Sequence, residues 1–190
     1  LAASMKPQGC PVTLFLNGAC GNVHTSDPTR GGAGMDMHEA GHALAEDTQR
    51  ILAAMTYRKE TPLAARSRTI QLPYRKITDD ELRGTVRGAQ RFVKPECYDN
   101  GMPDLLARIR ARGTQPAEVQ VLSIAEFDFA GIPAEYFVEH GLRIKQGAHP
   151  RHALVVGHAN GMVGYVPTAT AFDRGGYETT FSSGHKLAPP

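Results

Sequence analysis

The sequence predicts a mixed α/β fold with a layered β-sheet core flanked by helices. Short β-type apolar runs alternate along the chain with amphipathic helical stretches. The 190 residues, 41% hydrophobic and 21% charged, suffice for one sizeable core. No internal repeat or low-complexity linker divides them, so residues 1–190 read as part of one domain without an internal boundary.

Val12-Thr13-Leu14-Phe15-Leu16, bounded by Pro11 and Asn17-Gly18, fits a strand buried on both faces. The small and polar residues from Asn17 to Thr25 follow its end, a usual place for a site loop. Gly31-Gly32-Ala33-Gly34 continues the connection and matches no phosphate-binding fingerprint. Asp36 suits an N-cap, and a helix to about Arg58 places Met37, Ala40, Leu44, Thr48, Ile51 and Met55 on one face.

Thr61-Pro62 ends that helix, and residues 69–74 alternate as a strand does. Two charged helical stretches follow, from Asp79 to about Arg91 and from Pro103 to Arg112, with acids near their starts. Residues 119–124 form the next strand. Phe127 to Pro133 leaves it for a turn, and Ala134 to Lys145 reads as a helix opening with Glu135. His152 to Gly157 is a further buried strand.

Composition narrows the function classes. The 21 basic and 19 acidic residues, net +2, are mixed along the chain, so no basic stripe points to nucleic acid. No apolar run reaches the roughly 20 residues that span a bilayer. The three cysteines, Cys10, Cys20 and Cys97, are widely spaced and form neither a disulfide framework nor a Cys-x-x-Cys metal pair. The chain opens Leu1-Ala2-Ala3-Ser4 with no initiator methionine, and so reads as a piece of something longer.

One loud motif is His38-Glu39-Ala40-Gly41-His42. On a helix it aligns two imidazoles for zinc, with a glutamate to take a proton from bound water, as in a zincin-type metalloprotease. Here the histidines fall in the first two helical turns, roughly 100 to 140° from the Leu44, Ile51, Met55 stripe, on the side facing water. The remaining acidic candidate for a third ligand is Glu60, beside the helix-breaking Thr61-Pro62. A solvated helix face carrying two histidines is the competing reading.

A second constellation is spread through the C-terminal half. It comprises the Ile132-Pro133-Ala134-Glu135 turn, Gly164-Tyr165-Val166-Pro167-Thr168, and Tyr177-Glu178 twelve residues after the first tyrosine. With the loop after the first strand, these resemble, in the same order, the C-terminal part of the catalytic domain of the neutral/alkaline ceramidases and their relatives. The resemblance implies a zinc-dependent hydrolase of amide bonds in N-acylated, lipid-like molecules. It makes Glu135 and Tyr165 metal ligands and Tyr177 a group that contacts the substrate amide, with Asn22 and Asn160 lining the substrate site.

Two departures accompany it. The family's Gly-Asp-Val-Ser-Pro is Gly21-Asn22-Val23-His24-Thr25 here, so His24 takes the serine's place as general base or hydrogen-bond donor. The family's two zinc-binding histidines belong upstream, and His38 and His42 do not align with them. The resemblance therefore implies that an N-terminal part of the same chain completes the site, that the segment alone is inactive, and that the protein is exported. A relative that has lost catalysis and acts as a binding module is the third reading.

Overall fold

The computed structural model describes residues 1–27, 29, 31, 34–83, 95–181 and 185–189. It divides into two compact units: Leu1–Leu16 with His24–Thr61, and Asn17–Val23 with Pro62–Pro190.

In the first unit, helix α1 (Ala2–Met5) runs into a 3-10 turn, Lys6–Gln8, which Gly9 ends at φ 81°. Helix α2 spans Met37–Ala54. Asp36 starts it with a complete capping box: its Oδ1 accepts from the backbone N–H of His38 at 2.6 Å and of Glu39 at 3.0 Å. Glu39 Oε2 accepts in return from the Asp36 N–H at 3.3 Å.

The expected apolar stripe of α2 is not its buried face. Ile51 is 61% exposed and Leu44 and Met55 are exposed with it, whereas Ala45 is buried. Gly41, one turn before Ala45, lies so close to Leu1 that an added Cβ would stand 3.2 Å from the Leu1 nitrogen. Close approach of α1 selects small residues, so the helix turns Gly41 and Ala45 inward instead of its longer side chains. The expected strand at Val12–Leu16 is also absent. The segment forms no ladder and Val12 is 84% exposed. An apolar run supplies β propensity, but a strand also needs a neighbour for its backbone groups.

The second unit contains, in chain order, β1 (Leu63–Pro73), α3 (Asp79–Arg83), α4 (Pro95–Arg112), β2 (Thr114–Ile124), β3 (Phe127–Ile132) and β4 (Glu135–Tyr136). There follow α5 (Val138–Gly147), β5 (His152–Gly157), β6 (Tyr165–Val166) and α6 (Ala169–Arg174). The main sheet has the order β1-β2-β3-β5, antiparallel except for the parallel pair β3 and β5. The mixed α/β class therefore holds, with α5 crossing between the parallel strands and packing on β5.

Several boundaries differ from expectation. Phe127 does not open a turn: it pairs with Ile124 and begins β3, with the reversal made at Ala125 and φ 51°. Helix α4 starts at Pro95 and carries Pro103 in its interior, not at its start. The part of the first charged helix beyond Arg83 lies outside the described residues. Glu135 belongs to a two-residue strand, and the helix begins only at Val138.

Among the described residues two apolar clusters hold this unit. One joins Ala117, Ala134, Val163 and Leu187, with Ile70, Leu72, Ile132 and Val166 packed against them. The other joins Met102, Leu105 and Phe181.

An ion pair locks the β2–β3 hairpin to the start of β5. Arg151 grips Asp128 with Nε on Oδ2 and Nη2 on Oδ1, both at 2.7 Å, and Ser123 Oγ donates to Oδ1 at 2.6 Å. The hydrogen bonds from Arg151, then that from Ser123, hold the Asp128 carboxyl down at about 2 against an ordinary 3.8. A carboxyl acidified by folding contributes stability above its unfolded pKa and loses it as pH falls toward the folded value. Denaturant midpoints should therefore fall between about pH 4 and 2, and Asp128→Asn should flatten that limb. An unchanged acid limb in the variant would remove the pair from the account.

Candidate functional site

The site is built on one turn and the loop that latches onto it. The Ala134 N–H reaches back to Ile132 O at 2.9 Å, a γ-turn centred on Pro133, whose ring restrains φ. Three backbone donors from the returning chain then clamp the turn: Val163 N–H to Pro133 O at 2.7 Å, Ala159 N–H to Ile132 O at 3.1 Å and His158 N–H to Ala134 O at 3.3 Å. His158, Asn160, Gly161 and Gly164 all have positive φ in this loop, which lets it fold back so sharply.

The result is a short parallel ladder in which Glu135 is the register partner of Tyr165 and Tyr136 of Val166. The Glu135 N–H donates to Gly164 O at 3.0 Å, and the Phe137 N–H to Val166 O at 3.3 Å. Register partners point to the same face of a sheet. The Glu135 carboxylate and the Tyr165 phenol accordingly stand on one face of the ladder.

Burial first, then the neighbouring Glu135 carboxylate, push the Tyr165 hydroxyl well above its ordinary range. Tyr177 and Glu178 add to the same field. The phenol therefore keeps its proton. Tyr177 meets Tyr165 edge-on, ring centroids 5.5 Å apart at 81°, while staying 57% exposed. Gly175 and Gly176, at φ 74° and 118°, make the bend that carries the chain from α6 into the 3-10 turn holding Tyr177.

The loop from Asn17 to Val23 supports this ladder from behind. The Gly21 N–H donates to Tyr136 O at 2.9 Å, and a Cβ at Gly21 would stand 2.4 Å from Glu135 O. Asn22 caps α5 from a distance: its Oδ1 accepts the Val138 N–H at 2.8 Å and its Nδ2 donates to Glu139 Oε2 at 2.9 Å. Asn22 also lines a polar cavity of about 300 Å³ together with Glu139, Arg174 and Glu178. Tyr165 lines a different, apolar cavity of about 250 Å³ with Leu72, Val166, Pro167 and Phe172.

The other expected site residues are placed as follows. His24 belongs to the first unit, exposed, with Nδ1 accepting the Ser26 N–H at 3.2 Å. Asn160 is exposed on the returning loop at φ 64°. His38, Glu39 and His42 are exposed on α2, where Glu39 serves the capping box described above. Among the described residues no three of His, Cys, Asp and Glu gather as a metal would require.

Sequence reasoning missed the structural duty of Asn22 and the role of Gly21, since both depend on a helix start and a strand far along the chain. It also missed Cys20, whose Sγ accepts from Asn17 Nδ2 at 3.0 Å and lies 3.8 Å from His158 Nε2.

As a cation site, Glu135 and Tyr165 fit in part. They are two hard oxygen donors on paired backbone, side by side in register, and a bound cation would favour the ionised phenol. Nitrogen donors are not among this pair.

No family model and no curated protein matches the chain. Among solved structures, neutral ceramidase from Pseudomonas aeruginosa aligns at a TM-score of 0.47 and 20% identity, over 86% of this chain and 32% of that one. A ceramidase complexed with C2 aligns at a TM-score of 0.40 and 18% identity, over 68% of this chain and 27% of that one. The chain thus spans about a third or less of their length. Among the described residues no helix is long and apolar enough to cross a membrane.

Proposed function

We propose that this chain is the C-terminal catalytic portion of a zinc-dependent, ceramidase-like hydrolase acting on the amide bond of an N-acylated, lipid-like substrate. The observation that carries this reading is the parallel pairing of Glu135 with Tyr165, with Tyr177 set edge-on beside Tyr165. The resemblance carried by the Ile132-Pro133-Ala134-Glu135 turn and by the Gly-Tyr-Val and Tyr-Glu motifs names these residues.

Glu135 and Tyr165 would hold the metal, with nitrogen ligands supplied by an upstream part of the protein. Zinc in such a site supplies a bound water of pKa about 7 and a Lewis acid for an amide carbonyl. Tyr177 keeps its hydroxyl near solvent, where it can donate to a substrate carbonyl or amide. His24 offers an imidazole for proton transfer. The apolar cavity beside Tyr165 suits a hydrocarbon portion of the substrate.

Zinc titration of the full-length protein is the test. Glu135→Ala with Tyr165→Phe should weaken zinc binding at least about a hundredfold, while His42→Ala leaves it unchanged. Unchanged affinity in the double variant would end the assignment. Zinc binding without turnover of any acyl amide in a broad panel would reduce the protein to a binding module.

A further inference from the structure

A third cavity, of about 340 Å³, opens beside the C-terminal half of α4 and is lined by Arg108, Arg112, Lys186, Tyr74 and Met162 among others. Arg108 and Arg112 are one helical turn apart, so both address it from the same face of α4. Lys186 arrives from a separate segment, fixed to the end of β1 by the bridge between Tyr74 and Leu187 and by the Arg75 N–H donating to Lys186 O at 3.0 Å. Its Nζ is oriented by Val163 O at 2.9 Å.

Arg112, in the last turn of α4, suits the negative end of the helix dipole. Lys186 reaches the same cavity from another segment. Burial first, then the charge of Arg108, lowers the Lys186 ammonium from its ordinary 10.5. Three cationic side chains from two elements converge on one concave surface that also carries an aromatic and a thioether wall.

We propose that this cavity binds the phosphate group of a phosphomonoester, held by Arg108, Arg112 and Lys186, with Tyr74 and Met162 against the group the phosphate carries. The charge count selects phosphate over carboxylate: a dianion answers several cations, and guanidinium forks match its oxygens bidentately. The site is independent of the Glu135 and Tyr165 pair and of any metal there.

Calorimetric titration of the full-length protein with inorganic phosphate and with phenyl phosphate tests it, alongside sedimentation with phosphatidylcholine vesicles with and without phosphatidic acid. Phenyl phosphate should bind saturably and more tightly than inorganic phosphate. Arg108→Gln with Arg112→Gln should weaken it at least about tenfold, and Arg110→Gln, on the same helix but outside the cavity, should not. Binding confined to phosphatidic acid vesicles and lost in the same double variant identifies a lipid headgroup as the source; binding in solution identifies a soluble monoester. Absence of saturable binding to every probe, full affinity in the double variant, or an equal loss in Arg110→Gln overturns the proposal.

Discussion

Gly21→Ala is expected to destabilise the protein by roughly 2–4 kcal/mol, a large effect for one added methyl group. The new Cβ would stand 2.4 Å from Glu135 O, 2.9 Å from Glu135 C and 3.0 Å from Phe137 Cδ1. Two of these atoms are backbone of β4, and no rotamer change removes them. Relief requires the loop to retreat from β4, which breaks the hydrogen bond from the Gly21 N–H to Tyr136 O. Gly101→Ala is the matched comparison. Gly101 lies in α4 with nothing within 4 Å of an added Cβ. There alanine should stabilise by about 0.5–1 kcal/mol through helix propensity. Urea midpoints of the two variants should move in opposite directions, and a Gly21→Ala protein as stable as the parent would show that β4 yields freely.

Phe181→Ala should cost about 3–5 kcal/mol. The ring is 2% exposed, packed with Met102 and Leu105. The Arg75 guanidinium stands 5.9 Å from its centroid while Arg75 Nη1 donates to Thr179 O at 2.9 Å. Truncation opens a cavity between α4 and the segment that carries Tyr177, and removes the face on which Arg75 rests. Phe181→Leu, which keeps most of the volume, should lose much less. Equal midpoints for the alanine variant and the parent would mean that α4 does not pack here in solution.

What was legible in the sequence was local. Asp36 ahead of a helical apolar pattern reads as an N-cap, and the α2 start follows it. His152 to Gly157 is β-branched and apolar enough to be recognised as β5 to the residue. What failed depended on partners distant in sequence. Val12 to Leu16 has strand composition without a strand neighbour. Glu135 and Tyr136 have a helix directly after them and were absorbed into it, because a two-residue strand leaves no periodicity to read.

The site divides in the same way. The spacing of Tyr165 and Tyr177 and the turn before Glu135 were readable as motifs, and the fold brings those three side chains to one place. The commitment of Asn22 to the α5 terminus was not readable, since nothing near Asn22 in the chain records a helix that starts at Val138.

The parallel ladder of β4 and β6 also fixes an order of events. The antiparallel strands β1, β2 and β3 include a tight hairpin that can close early, whereas Glu135 and Tyr165 are about thirty residues apart and meet only after α5 and β5 have docked between them. Two residues of ladder contribute too little to hold that loop closed alone. The meeting of carboxylate and phenol is therefore a late product of folding, and a refolding chain brings Tyr165 beside Glu135 only when this unit is otherwise complete.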